Sequence, residues 1–245
     1  MKQKLFLDAA ESVIMKNNYL VDTKRKAKMK ISKFKVDKTN EKQLGCSKGD
    51  YYMINYDSRV LFDNPNVVVK ELMKVLKTFM KNYKQHGTTL IIGLGNSSIL
   101  ADALGPITTK QIIATNHYDD FLTIPKIALF VPEVIGKTGI SSFNLIKMLV
   151  NDLKPDVIII IDSYATTRVD RLNYTLEVSD AGIIPGSAIK NNKEINAATF
   201  NVPVIAIGVP LLLEVGSELY TKPDIKNVIE ASSKVISEAI NKIYF

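Results

Sequence analysis

Two hydrophobic periods succeed one another along this chain, and the change between them organises it. From Thr88 onward, short apolar runs alternate with amphipathic stretches. The runs predict strands at Thr89–Leu94, Ile127–Val131 and Val157–Ile161, and the stretches predict helices over Pro106–Ala114 and Ser141–Leu153. Such alternation implies right-handed βαβ units around a parallel sheet. Leu172–Val178 and Val204–Ile207 add two strands, and Pro223–Ile243 a closing helix with Ile225, Val228, Ile229, Val235, Ile236 and Ile240 on one face. Ahead of this core, Leu5–Tyr19 reads as a short helix, while the lysine-rich segment up to Val36 and Tyr51–Tyr56 read as strands. Asn66–Tyr83 has helical spacing in Val69, Leu72, Val75, Leu76 and Phe79. The expectation is one α/β domain over residues 1–245, with 1–85 as an N-terminal cap and 86–245 as the core.

Composition narrows the class. A chain of 245 residues with 46% hydrophobic content can bury one good core. No apolar run reaches the roughly 18–20 residues of a membrane helix, and no signal-like block opens the chain, so a cytoplasmic protein with no membrane role is expected. The single cysteine, Cys46, excludes an internal disulfide and a cysteine zinc site. Much of the net charge of +7 lies between Lys24 and Lys35, where Lys26, Lys30, Lys33 and Lys35 fall among Ala27, Met29, Ile31 and Phe34. That pattern suits an edge strand with a charged face. An acidic-protein or nucleic-acid contact is the other reading of it, and no direct nucleic-acid role is expected.

The chemistry concentrates where two predicted strands end. Thr89–Leu94 runs into Gly93-Leu94-Gly95-Asn96 and then Asp102, and Val157–Ile161 runs into Asp162. Open α/β sheets keep their functional groups at such carboxyl ends, so two carboxylates can converge on one cleft. Helix capping is the competing structural role for both acids. Several familiar motifs fail. Gly93 and Gly95 begin a dinucleotide fingerprint, but Ser98 stands where its third glycine belongs. Gly136-Lys137-Thr138 imitates the end of a P-loop, yet Val131 stands in place of the required glycine. No serine lies in Gly-x-Ser-x-Gly, and neither His86 nor His117 completes a triad or a cysteine-hydrolase signature.

Five blocks in order carry a family resemblance: Gly93 to Pro106, Val131 to Ile140, Asp156 to Arg168, Ser179 to Ser187, and Val202 to Pro210. Together they resemble the spore germination protease (GPR endopeptidase) family. Lys48-Gly49-Asp50-Tyr51-Tyr52 and Tyr220-Thr221-Lys222-Pro223-Asp224-Ile225 on the flanks resemble it too. The resemblance implies a phosphorylase/hydrolase-like three-layer fold with a mostly parallel sheet. It implies an endopeptidase of aspartic type acting on a small protein substrate, small acid-soluble spore proteins where the source sporulates, and a homo-oligomer, specifically a tetramer. Asp102 and Asp162 match the catalytic aspartates. Gly93, Gly95 and Asn96 would bring backbone amides toward a developing oxyanion. Gly136, Thr138, Gly139, Asp180, Gly186 and Ser187 lie in loops expected to support the site.

A more distant resemblance is to hydrogenase-maturation endopeptidases, which bind a metal through two acids and a histidine. Asp102 and Asp162 match the acids. Ile184 stands where the germination proteases usually have a histidine, so no tightly bound metal and no cofactor are expected. The chain is shorter than the germination proteases, and its N-terminus has no clear match to their self-cleaved segment. Three alternatives stand beside the endopeptidase: a non-catalytic binding or assembly protein on the same fold, a hydrogenase-maturation-like processing peptidase, and a small-molecule hydrolase or phosphorylase.

Overall fold

The computed structural model describes residues 22–26, 28–81, 87–118, 124–184 and 193–245. The expected Leu5–Tyr19 helix lies outside them. Asp22–Lys26 (β1) and Met29–Val36 (β2) form an antiparallel hairpin, so the lysine-rich segment is two strands rather than one. Glu41–Leu44 (α1) leads to Gly49–Asn55 (β3), which pairs antiparallel with β2. Ser58–Asp63 (α2) is capped by Asp57, whose carboxylate accepts from Val60 N at 2.9 Å. Pro65–Met80 (α3) follows, with proline at its first position, where no amide is needed.

The core alternates as expected. Thr88–Gly93 (β4) is followed by a 3₁₀ turn at Leu100–Asp102 and by Leu104–Thr109 (α4). Lys126–Phe130 (β5), Ile135–Thr138 (α5) and Ser142–Leu153 (α6) come next, with Ser141 capping α6 through Asn144 N at 3.2 Å. Val157–Thr166 (β6), Thr175–Ser179 (β7) and Ala197–Phe200 (α7) lead to Val204–Val215 (β8). Glu218–Tyr220 (β9) and Ile225–Tyr244 (α8) close the chain.

The nine strands of the described residues join one sheet, ordered β1-β2-β3-β7-β8-β6-β4-β5, with β9 against β8. It is parallel through β8-β6-β4-β5 and antiparallel from β8 through β7 to β1. The cap strands therefore continue the core sheet. Helices cover both faces and give three layers. One face packs Ile91, Ile159, Ile161 and Ile207 against Leu72 and Leu76 of α3, Leu104 of α4, and Val228, Ile236 and Ile240 of α8. The other packs Leu90, Ile92, Ile158, Ile160 and Ala206 against Ile146 and Val150 of α6. Strands buried on both faces have no polar side, which explains the unbroken run Val157–Ile161.

Two strands outrun their apolar signal. β6 continues past Asp162 to Thr166, and β8 passes through Pro210 to Val215. The pair slips register after Tyr164 and Pro210, where proline has no amide to donate to the ladder. Asp162 thus lies within β6 rather than at its end. Relative to β4 it is still at the carboxyl edge, because Ile161 pairs with Gly93, the last residue of that strand.

Candidate active site

The site is built by the end of β4, the middle of β6 and the loop after β5. Leu94 N donates to Ile161 O at 2.8 Å, extending the β4–β6 ladder to the residue before Asp162. The chain then turns at Gly95, with φ +120°, and returns through the 3₁₀ turn with Asp102. A Cβ at Gly95 would collide with the Asp102 backbone carbonyl. One at Gly105 would collide with Leu94 N and O and with Ile161 O. Only glycine lets the Asp102 turn and the start of α4 lie directly on the ends of both strands.

Each carboxyl is held by backbone. Asn96 N donates to Asp102 Oδ2 at 2.8 Å, and Ser163 N to Asp162 Oδ1 at 2.9 Å. Burial, then the Asp102 charge, push the Asp162 carboxyl well above the usual carboxylate range, against the pull of the Ser163 amide. Burial raises Asp102 as well, with a smaller push from Glu133, while the Asn96 amide and the Ser163 hydroxyl favour its charged form. Both residues keep some exposed area, as an accessible cleft requires, although protein surrounds most of each carboxyl.

Glu133 is a third acid at this place. It sits just past β5 in the left-handed region, φ 57°, an uncommon conformation for a residue with a side chain. Its Oε2 accepts from Ser97 N and from Lys137 Nζ, each at 3.2 Å, and Lys137 Nζ also donates to Ser97 Oγ at 2.9 Å. The Ser97 hydroxyl and amide and the Lys137 ammonium hold Glu133 below the usual glutamate range. Its carbonyl accepts from Ser142 Oγ at 2.8 Å, so the loops after β4 and β5 are fastened together.

The other sequence-selected residues are distributed more widely. Gly93 ends β4 beneath Gly105. The Asn96 amide is committed to the Asp102 carboxylate. Gly136 and Thr138 lie on exposed α5, and Gly139 ends it with φ 71°. That turn is joined to the pair through Lys137 and Glu133. Asp180 accepts from Asp50 N at 2.7 Å, after β7 has run down to Ala206 near the start of β8, so it stands toward the opposite edge of the sheet. Gly186 and Ser187 lie outside the described residues, as does His86. His117 is exposed against Tyr118, with ring centroids 4.2 Å apart. Glu133, Lys137 and Ser163 were not singled out from the sequence. The signal for Glu133 was its place just after a predicted parallel strand. Among the described residues no group of three or more His, Cys, Asp or Glu side chains is placed to hold a metal ion, and no helix is long and apolar enough to cross a membrane.

The sequence profile of the germination proteases matches residues 4–241. The chain belongs to the germination protease family. It is 36% identical over 197 residues to the germination protease of Oceanobacillus iheyensis, covering 76% of this chain and 54% of that relative. It is 31% identical over 236 residues to that of Clostridium acetobutylicum, covering 91% of this chain and 71% of the relative. The chain spans about half the length of the first of these germination proteases. Among solved structures, it is similar to a NiFe hydrogenase maturation protease from Thermococcus kodakarensis, with a TM-score of 0.41 and 15% identity, covering 68% of this chain and 98% of that one.

Proposed function

We propose that this germination protease relative is an endopeptidase of aspartic type in which Asp102 and Asp162 activate a water molecule. The observation that carries the reading is the packing of the Asp102 turn on the end of β4, which is bonded to β6 at the residue before Asp162, so that the charge of Asp102 pushes the Asp162 carboxyl up. Like charges that share a site cannot both ionise at neutral pH, and such a pair supplies an acid and a base together. Asp162, with the stronger push, holds the proton. Asp102, supported by the Asn96 amide, is the charged partner. Asp102 takes a proton from water as the water oxygen attacks the peptide carbonyl carbon, and Asp162 gives its proton to the carbonyl oxygen. Collapse of the tetrahedral intermediate breaks the C–N bond: the leaving nitrogen takes up the proton that Asp102 gained, and a hydroxyl of the gem-diol returns a proton to Asp162 as the carboxyl product forms. Gly93 and Gly95 let the Asp102 turn lie against the strand ends, and the turn of Gly136, Thr138 and Gly139 borders the cleft through Lys137 and Glu133.

Family membership supports a small protein as substrate, with small acid-soluble spore proteins first to be tried. A cytoplasmic homo-oligomer, a tetramer by the resemblance, belongs to the same reading. Incubation of such a protein with wild type, Asp102→Asn and Asp162→Asn tests it. Defined fragments are expected from wild type, and a loss of about a thousandfold in rate from each variant. Cleavage that survives in either folded variant sinks the aspartate-pair mechanism. Absence of cleavage by folded wild type favours the non-catalytic binding protein.

A further inference from the structure

The sheet register leads from the aspartate pair into the cap through a buried row of residues. Asp162 pairs with Gly208, Gly208 with Glu177, and Glu177 with Met53, so all four share one face. At the adjoining rim, Tyr164 pairs with Pro210, Asn173 N donates to Pro210 O at 2.8 Å, and Tyr56 N donates to Tyr174 O at 3.0 Å. Asn55 then pairs with Lys30, and Lys30 with Arg25. The carboxyl edge of the parallel strands is therefore continuous with the edge of the cap hairpin.

That edge ends in an open cavity of about 600 Å³, with Arg25, Lys28, Lys30, Met29, Tyr56 and Asp57 in its wall. Other cations of the hairpin have acids beside them: Lys24 Nζ lies 3.7 Å from Asp22 and Lys33 Nζ 3.7 Å from Asp50. Asp57, the acid of the cavity wall, accepts instead from Val60 N at 2.9 Å and caps α2. Three cations thus line a concave surface beside one carboxylate, which leaves the wall net positive, a place suited to an anionic ligand.

Four strand spacings separate β6 from β2. At ~4.8 Å each they amount to ~19 Å, which about six residues of extended peptide cover at ~3.3 Å per residue. We propose that this cavity is a docking subsite for an acidic segment of the polypeptide substrate, about six residues from the bond cleaved at Asp102 and Asp162. The proposal rests on the endopeptidase reading. A peptide is the favoured occupant because the path to the cavity starts among Asp102, Asp162 and Glu133. A nucleic acid would bring phosphates past those carboxyls at every step, whereas a peptide can confine its charge to the residues that reach Arg25, Lys28 and Lys30.

The test uses the full chain and two peptides that share a cleaved sequence, one with three glutamates about six residues from the bond and one with serines there. The variant is Arg25→Glu/Lys30→Glu, two changes in the cap hairpin that leave the aspartate pair untouched. For the acidic peptide, KM is expected to rise about tenfold in the variant with kcat unchanged, and to rise with salt in wild type. The serine peptide should show neither effect. Equal KM for both peptides with wild type, or no response to the variant, overturns the subsite. Binding measured by fluorescence anisotropy on Asp102→Asn/Asp162→Asn protein separates the two readings. Salt-sensitive binding of the acidic peptide that disappears with the charge reversal, in a protein whose wild type cleaves nothing, would retain the subsite and remove the endopeptidase. Tighter binding of a single-stranded oligonucleotide of equal length than of the acidic peptide would overturn the choice of a peptide.

Discussion

In the antiparallel half of the sheet, charges meet their opposites. Arg171 Nη1 lies 3.5 Å from Glu177 Oε1 with both side chains 2% exposed, and Lys33 stands 3.7 Å from Asp50 at the hairpin. In the parallel half, like charges are gathered: Asp162 feels the charge of Asp102 and Asp102 that of Glu133, and a cation beside them, Lys137, pairs with Glu133. In the first arrangement each buried charge compensates the other, whereas in the second the like charges oppose one another. Mutual compensation accounts for the pair at Arg171 and Glu177. The pair at Asp102 and Asp162 works against stability and is better accounted for by chemistry.

The largest effect should come from breaking the compensated pair. Arg171→Met leaves the Glu177 carboxylate buried without its guanidinium and is expected to cost about 3–5 kcal/mol in urea unfolding. Arg171→Met/Glu177→Gln should recover part of that loss, since no uncompensated charge is left behind. A single variant as stable as wild type would remove the contrast between the two halves.

Next in size is the opposite sign in the parallel half. Because the folded state holds Asp162 above the usual carboxylate range, it binds a proton that the unfolded chain releases. Stability is therefore fullest below the unfolded aspartate pKa, near ~3.9, and falls as pH rises from there through the folded value. Asp162→Asn removes the group that only the unfolded chain ionises freely, and should raise Tm at pH 7 by on the order of 3 °C while abolishing cleavage. The gain should vanish below about pH 4, where the unfolded wild-type chain is protonated at this position as well. A Tm that drops at pH 7 would mean that the Asp162 charge stabilises the fold, as it does in a capping residue.

Much of this contrast was legible in the sequence, though unequally. Asp102 and Asp162 stand out because each follows a run buried on both sides, and such a run announces its own end. The continuation of β6 through Ser163 and Tyr164 gives no such signal, because its second half is only partly buried. The passage of β8 through Pro210 runs against the usual reading of proline as a strand end, and only the slip in pairing with β6 accommodates it. Alternation in β3 marks a strand but not its partner, and Tyr51 finds Ser179 far along the chain. Hence the expected cap proves to be an extension of the core sheet. Glu133 was hidden for a different reason: its role depends on a left-handed backbone that brings its side chain to Ser97 and Lys137, and no local pattern encodes that.

The smallest expected effect tests whether Glu133 belongs to the charged cluster at all. Lys137 Nζ lies 3.2 Å from Glu133 Oε2, partly exposed and open to screening by salt, so its influence on Asp102 is indirect. Removing the ammonium in Lys137→Met leaves the Glu133 charge less compensated and disfavours the ionised form of Asp102 further. Since Asp102 must be ionised to take the proton from water, the ascending limb of the pH–rate profile should move to higher pH, by about 0.3 unit at low salt and less at high salt. Glu133→Gln removes the negative charge itself and should move the same limb the other way. The descending limb reports loss of the proton from Asp162 and should respond less, because the push on Asp162 comes from burial and from Asp102. Opposite displacements of one limb by the two variants would join Glu133 to the pair electrostatically. Displacements in the same direction would mean that both changes act by loosening the loops that Ser97 and Lys137 fasten.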